Sequence, residues 1–234
     1  MGIHTLLILD TETTGLNPQK DKIIEIGAVL WSVDHLCTVA TYSNLIHADD
    51  NPAENINRIP VAALKIWGVD LCDAFAGLLD LVAGRVDALV AHNATFDRSF
   101  FEAHGLDLAE HYHVPWICTM SQIEWPRASS SKSLLATALA HDVAVTDAHR
   151  ALADCQILAR LFARCAELGS DLQVMLTRAL RPSSRYVAQV SYDDRDRAKT
   201  AGFTWNAPEA PKCWSRIVAD EDAGKFDFKT KKIS

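Results

Sequence analysis

Residues 3–9 form an apolar-rich run, unbroken from Leu6 to Leu9, that ends at Asp10 and Glu12. Such a run reads as a strand buried on both faces. Side chains two apart on a strand point to the same face, so the two carboxylates share one edge of a buried strand. Like charges in that position repel each other unless something positive sits between them. The ordinary reading is that the strand has simply ended and both are solvated turn residues. For an isolated Asp-x-Glu that reading is the better one.

The residues that follow suggest the layers around this strand. Residues 13–18, Thr-Thr-Gly-Leu-Asn-Pro, are a turn cluster. Residues 22–31 and 38–46 read as a second and third strand, joined so closely that antiparallel hairpin pairing is the simplest arrangement. Residues 51–60 read as a loop, followed by helical spacing over 61–67 and 71–83. Residues 88–91 are a short core strand, 97–104 a helix closed by Gly105, and 116–118 a last short strand. The Ser-rich stretch 128–133 reads as a mobile loop, with helices over 133–141 and 148–168. Three sequential strands, then strands alternating with helices, predict an α/β domain around a mixed sheet over residues 1–169.

After Gly169 the pattern weakens. Residues 170–185, with Arg181-Pro182-Ser183-Ser184, read as a linker. Residues 186–218 read as a strand–helix–strand–strand unit, too small to bury much alone and so expected to dock on the main body. Residues 219–234 are polar and read as a frayed, disordered tail.

Composition excludes several classes. Of the 234 residues 49% are hydrophobic and 23% charged, which rules out a disordered chain. With 10 Gly, 8 Pro and no heptad run, collagen-like and coiled-coil chains are excluded too. No apolar stretch approaches the ~18–20 residues that span a bilayer, so no membrane partner is expected. The first residues lack the basic flank and small-residue cleavage site of a signal peptide. The six cysteines form no Cys-x-x-Cys pair and read as reduced core thiols of a cytoplasmic protein. The net charge of −7 argues against a generally basic nucleic-acid coat. Residues 1–177 carry −11 and residues 178–234 carry +4, which hints at two parts with different jobs.

Three more residues bear on chemistry. Asp97, in Ala-His-Asn-Ala-Thr-Phe-Asp, would by itself be a helix N-cap. Asp154 is harder to dismiss, because it shares a helical stripe with Leu158, Leu161 and Cys165. A carboxylate on an inward-looking apolar stripe is costly unless paired or metal-bound. His149 stands five residues earlier, near an expected N-cap at Thr146 or Asp147, where a surface histidine is the ordinary reading.

Together these supply four carboxylates from three elements that a mixed sheet can bring to one edge, plus one histidine. Carboxylate-only sets suit hard divalent ions such as magnesium or manganese. Four formal negatives need roughly two such ions to balance them. Paired metals ~3.5–4 Å apart are a clamp for phosphodiester cleavage, one activating water and the other steadying the leaving oxygen. His149, with an unperturbed pKa of ~6.5, can accept the proton from that water near neutral pH.

The segments LDTETTGL (9–16), IIEIGAV (23–29), AHNATFD (91–97) and HRALAD (149–154) resemble, in order and spacing, the three sequence blocks of the DEDDh family of 3′–5′ exonucleases. That family includes bacterial proofreading subunits, ribonuclease T and exonuclease X. Within it AHNATFDRSF, WICTM (116–120) and Trp125-Pro126 are most similar to the exonuclease X and ribonuclease T branch. The resemblance implies a ribonuclease H-like fold, with a five-stranded mixed sheet flanked by helices. By that resemblance Asp10, Glu12, Asp97 and Asp154 bind two magnesium or manganese ions, and His149 is the general base. It further implies that Thr13, Gly15 and Leu16 cradle the 3′-terminal nucleotide and that Asn93 and Phe96 stand beside the second acid. It places residues 57–64 against the terminal bases. There the chain reads NRIPVAAL where the family more often shows Gly-Ile-Thr. Phe96, Phe100 and Ile59 are candidates to stack on bases; core packing is the stronger reading for Phe100 and equally good for Ile59.

The expected activity is 3′–5′ hydrolysis of single-stranded nucleic acid to nucleoside monophosphates, DNA before RNA. DNA repair is the implied setting, as a homodimer or within a larger DNA-processing complex. The alternatives are an RNA-processing exoribonuclease of the ribonuclease T or oligoribonuclease kind, and a catalytically silent nucleic-acid-binding module. The C-terminal segment resembles a short domain of unknown function found beside DNA-processing modules, through Val190, Tyr192, Ala198, Lys199, Gly202, Trp205 and Trp214. Here Trp205 and Trp214 read as the core of a tiny domain. The basic helix with Arg195, Arg197 and Lys199 reads equally well as a solvated face and as a nucleic-acid contact.

Overall fold

In a computed structural model, described over residues 2–82, 86–145, 149–207 and 209–233, the chain divides into two units, Met1–Leu180 and Arg181–Ser234. In the first, strands β1 (Thr5–Thr13), β2 (Ile23–Ser32) and β3 (Cys37–Leu45) form an antiparallel meander. Helices α1 (Glu54–Asn57), α2 (Val61–Trp67) and α3 (Leu71–Val82) lead to β4 (Ala88–Ala91), which pairs parallel to β1. Helices α4 (Ala94–Ala103) and α5 (Leu108–Tyr112) precede β5 (Trp116–Cys118), parallel to β4. The sheet order β3-β2-β1-β4-β5 is the mixed five-stranded sheet expected from the sequence. Helices α6 (Leu134–Ala140), α7 (Ala151–Glu167) and α8 (Leu172–Ala179) complete the unit.

The alternation of β1 splits the core in two. Leu6 and Ile8 pack with Leu158, Leu161 and Phe162 of α7 on one face. Leu7 and Leu9 pack with Leu78, Phe100 and Phe101 on the other. Every one of these side chains is almost wholly excluded from solvent, which explains why β1 reads as continuously apolar.

Several expectations need correction. The stretch read as the linker 170–185 holds α8, whose Leu172, Leu176 and Ala179 join the core. Asp171 caps this helix by accepting from the Val174 N–H at 3.1 Å. The loop 51–60 contains the short α1. The helix expected over 97–104 begins earlier, at Ala94, so Asp97 lies in its first turn and Asn93 at its N-cap. The expected end of α3 at Ala83 lies outside the described residues. The Ser-rich stretch is held by hydrogen bonds among Ser129, Ser131 and Ser133, and Ser133 caps α6. Of the six thiols, all free, only Cys155 and Cys165 are buried, whereas Cys37 and Cys72 are exposed rather than in the core.

The second unit is a four-stranded sheet, β7-β8-β6-β9, built from β6 (Ser183–Ala188), α9 (Arg195–Thr200), β7 (Thr204–Ala207), β8 (Ala210–Ala219) and β9 (Thr230–Lys232). The expected strand–helix–strand–strand order is present, but 219–233 is no frayed tail. Strand β9 pairs with β6, and Phe226 and Phe228 cover the core residues Tyr186, Ala198, Phe203 and Val218. The physical reason is that two phenylalanines in an otherwise polar stretch suffice to close so small a core. Among the described residues, no helix is long and apolar enough to cross a membrane.

Candidate active site

Asp10 and Glu12 continue the row of Leu6 and Ile8, so both point to the side of the sheet covered by α7. Across the ladder Asp10 faces Gly27 of β2. A Cβ on Gly27 would collide with the backbone of Ala151 and Leu152. The absence of that one carbon lets the first turn of α7 rest directly on the sheet beside Asp10. Asp154 sits in that turn, its N–H donating to the Arg150 carbonyl at 3.1 Å. Carboxylate oxygens of Asp10, Glu12 and Asp154 consequently lie within 4.8 Å of one another. Among the described residues they form the one group of His, Cys, Asp and Glu side chains spaced to hold a cation.

Asp97 reaches the same strand end from the opposite face. It is 2% exposed, and its Oδ1 accepts from the Thr11 hydroxyl at 2.8 Å and the Thr11 N–H at 3.0 Å. It stands outside the three-oxygen group yet acts on it as a charge: it is the neighbour that most raises the proton affinity of Asp10.

This crowding has a measurable consequence. Burial first, then the charges of Asp97, Asp154, Glu12 and Glu25, hold Asp10 well above the usual carboxylate range. Burial and then Asp154, Glu25 and Asp97 push Glu12 up to about 8, against a partial offset from Arg150. Burial pushes Asp97 up to about 7 despite the bonds from Thr11. Carboxyls in this state hold protons near neutral pH unless a cation takes their place. An all-carboxylate donor set fits a divalent metal ion.

Glu25 is a part of the site that sequence reasoning missed. It faces Glu12 across the ladder, and its side chain is 1% exposed. Arg150 meets it with Nη2 at 2.7 Å from Oε1 and Nε at 3.1 Å from Oε2, and the Ala151 N–H donates to Oε2 at 3.0 Å. The pair thus ties the start of α7 to the first residues of β2. A glutamate inside the apolar IIEIGAV and an arginine directly after His149 were the available signal.

His149 is exposed, with a left-handed backbone (φ 63°), just ahead of α7. The helix begins at Ala151 with Arg150 as N-cap; the expected cap at Thr146 or Asp147 and start at Ala148 lie outside the described residues. Of the expected substrate contacts, Leu16 projects into solvent at 85% exposure. Thr13 is buried, and its hydroxyl donates to the Gly15 carbonyl at 2.6 Å, closing the turn. Buried Asn57 donates to the Thr13 carbonyl at 3.3 Å and fixes α1 against that turn. Asn93 is exposed and left-handed (φ 71°). Phe96 is half-buried against Phe100, with ring centroids 4.9 Å apart. Ile59 is a correction. At 2% exposure it packs with Ile24, Ala48 and Leu64 and presents no face to a base. Exposed Ile56 on α1 is the apolar side chain that this segment offers instead.

Comparison with known proteins agrees with this geometry. A family model described as "Exonuclease" matches residues 7–162, and one described as a domain of unknown function matches 184–233. DNA polymerase III subunit epsilon of Treponema pallidum is 32% identical over 160 residues, covering 65% of this chain and 72% of that one. Ribonuclease T of Haemophilus influenzae is 32% identical over 120 residues, 42% of this chain and 49% of that one. Among solved structures, E. coli exonuclease I in complex with a dT13 oligonucleotide superposes with a TM-score of 0.58 at 18% identity. That match covers 80% of this chain and 48% of the other, so the chain spans about half the length of this structure and of the ribonuclease T relative. The matched sheet, with its carboxylates gathered at the end of β1, makes this chain a member of the DnaQ-like exonuclease family, 3′–5′ exonucleases built on a ribonuclease H-like fold.

Proposed function

We propose that the chain removes nucleoside monophosphates from the 3′ ends of single-stranded DNA, using magnesium or manganese. The observation that carries this is the close group of half-buried Asp10, Glu12 and Asp154, in which desolvation first and then neighbouring carboxylates raise the proton affinities of Asp10 and Glu12. Such a group is strained unless a cation joins it. Asp10, Glu12 and Asp154, with Asp97 completing the charge, would hold two divalent ions. When bound, these would neutralise the scissile phosphate and activate water.

The chain's own residues supply the rest. The imidazole of His149 accepts the proton of the attacking water, and its exposed position lets that proton pass to solvent. The Glu25–Arg150 pair keeps the first turn of α7, and so Asp154, seated on β2. Leu16 and Ile56 offer apolar contacts to the terminal bases, and Asn57 locks their two segments together. Its six free thiols and the lack of a bilayer-length helix among the described residues fit a cytoplasmic protein, and DNA repair is the setting that fits this activity.

A preference for DNA rests on the likeness to a DNA polymerase subunit. The equal identity to a ribonuclease T favours, as the second reading, an RNA-trimming enzyme. Digestion of matched 5′-labelled DNA and RNA strands, single and duplex, with magnesium or manganese decides between them. A ladder that shortens from the 3′ end of single-stranded DNA first is the expected result; faster digestion of RNA establishes the second reading. No cleavage of either strand refutes both.

A further inference from the structure

The C-terminal unit carries an aromatic groove that the exonuclease reading does not use. Its core of Tyr186, Ala198, Phe203 and Val218 is covered by Phe226 and Phe228 and by half-buried Trp214, but not by Trp205. Trp214 thus meets the expectation of a core residue, whereas Trp205 stands outside the core and pairs with Trp214 across the β7–β8 hairpin, with ring centroids 5.8 Å apart. Trp205 is 53% exposed and Tyr192 78%, far more than packing requires. A cross-strand tryptophan pair stabilises a hairpin, but that role does not explain why a third aromatic ring stands open beside it.

These rings line a groove of about 580 Å³, floored by Val187 and Val190. Two cations, Arg195 and Lys212, are its charged lining residues, and no carboxylate lines it. The Arg195 guanidinium lies 4.0 Å from the Tyr192 ring centroid, and its Nη1 donates to the Tyr192 carbonyl at 2.7 Å. This guanidinium is therefore held in place beside an exposed ring. Among the described residues neither Arg195 nor Lys212 is matched to a carboxylate, whereas Arg197 and Arg185 are. The nearby Asp194 is engaged by the Ser191 hydroxyl at 2.8 Å.

We propose that this groove binds single-stranded nucleic acid, with bases stacked on Tyr192, Trp205 and Trp214 and phosphates on Arg195 and Lys212. Flat, sequence-tolerant rings interleaved with unmatched cations are what an unpaired strand needs. A purely apolar ligand would have no use for the cations, and an acidic peptide would have none for three rings. The unit as a whole is net positive, with 11 Lys and Arg against 8 Asp and Glu over residues 181–234, in contrast to the acidic remainder. The inference goes beyond the nuclease reading and stands without it, because it concerns binding alone.

The test uses the full chain and a fluorescein-labelled 20-mer oligothymidylate, with EDTA present so that nothing is cut. Fluorescence anisotropy should show Trp205→Ala binding about 10-fold more weakly than wild type, the loss expected for one stacked base. Trp205→Phe, which keeps a stacking face, should recover most of that loss. Lys212→Ala should flatten the slope of log K against log salt by about 0.7, the value for one phosphate contact on a single strand. Each variant should hydrolyse the p-nitrophenyl ester of thymidine 5′-monophosphate at the wild-type rate, which reads the catalytic site without a strand to bind. Oligonucleotide affinity unchanged in both Trp205→Ala and Lys212→Ala overturns the groove. So does equal weakening in Trp205→Ala and Trp205→Phe, which would mean disturbed folding rather than a lost stack. Absence of ester hydrolysis in wild type would count against the nuclease reading and leave the binding result unaffected.

Discussion

The end of β1 and the β7–β8 hairpin break the usual inside–outside rule in opposite directions. At the first, Asp97 is buried and Asp10, Glu12 and Asp154 are half-buried where apolar groups belong. At the second, the large rings of Tyr192 and Trp205 stand in solvent beside a core that Trp214 joins without them. Both placements cost free energy, and a ligand offsets each in its own way: a cation among the acids, an unpaired base on the rings. Buried polar groups and exposed apolar ones are informative because folding alone does not account for either.

The comparison can be broken most sharply at the acids. Asp10→Ala or Asp154→Ala should abolish cleavage of a labelled oligonucleotide, while the fold, followed by circular dichroism, persists. Near-normal turnover in either variant would remove the cation from the account. His149→Ala should slow kcat by ~10²–10⁴ with KM little changed, because an exposed side chain contributes chemistry rather than packing.

Stability measurements contrast the two kinds of aromatic residue. Phe203→Ala should destabilise the second unit by ~3–5 kcal/mol in urea unfolding, since its ring is buried between Phe226 and Phe228. Trp205→Ala should cost ~1 kcal/mol or less. Equal losses would mean that Trp205 is core after all. Arg150→Ala, which leaves Glu25 buried without its guanidinium, should cost roughly 2–3 kcal/mol in the first unit.

The smallest effect is a pH dependence. Glu12 has its proton affinity raised on folding, to about 8, so its contribution favours the folded state below ~4.5 and is lost as pH rises toward 8. Asp10, Asp97, Asp154 and Glu25 surround it with like charge, and Arg150 opposes them. The Tm of chelated protein should therefore fall over that span. Added magnesium or manganese should raise Tm more at pH 8 than at pH 6, and Glu12→Gln should flatten the chelated profile. A cation effect independent of pH would contradict the raised carboxyls.

Much of the first unit was legible because its signals are local. The apolar run before Asp10, the tight hairpins and the stripe of Leu158, Leu161 and Cys165 each specify an element by periodicity. Their sum predicts the mixed sheet. The acids were legible as a set because carboxylates on buried elements are costly wherever they occur. Ile59 stayed open between base contact and core because a segment's position in a family motif does not say which of its side chains turn inward; its burial depends on Leu64 nearby and on Ile24 and Ala48 farther back in the chain. Helix α8 was missed because its apolar positions, Leu172, Leu176 and Ala179, follow a turn and sit among polar residues. Strand β9 was missed because three residues ending in lysines carry no strand pattern and gain one only by pairing with β6.

The sequence by itself determined the strands and the main helices of the first unit and which residue types stand ready for a cation, because periodicity and the cost of burying charge act over short stretches of chain. Only the tertiary structure decided that Glu25 is held by Arg150, that Asp97 is bound through Thr11 from the other face of the sheet, and that Trp214 packs on the small core while Trp205 stays in solvent. Those outcomes depend on which distant side chains meet, and no local pattern encodes that.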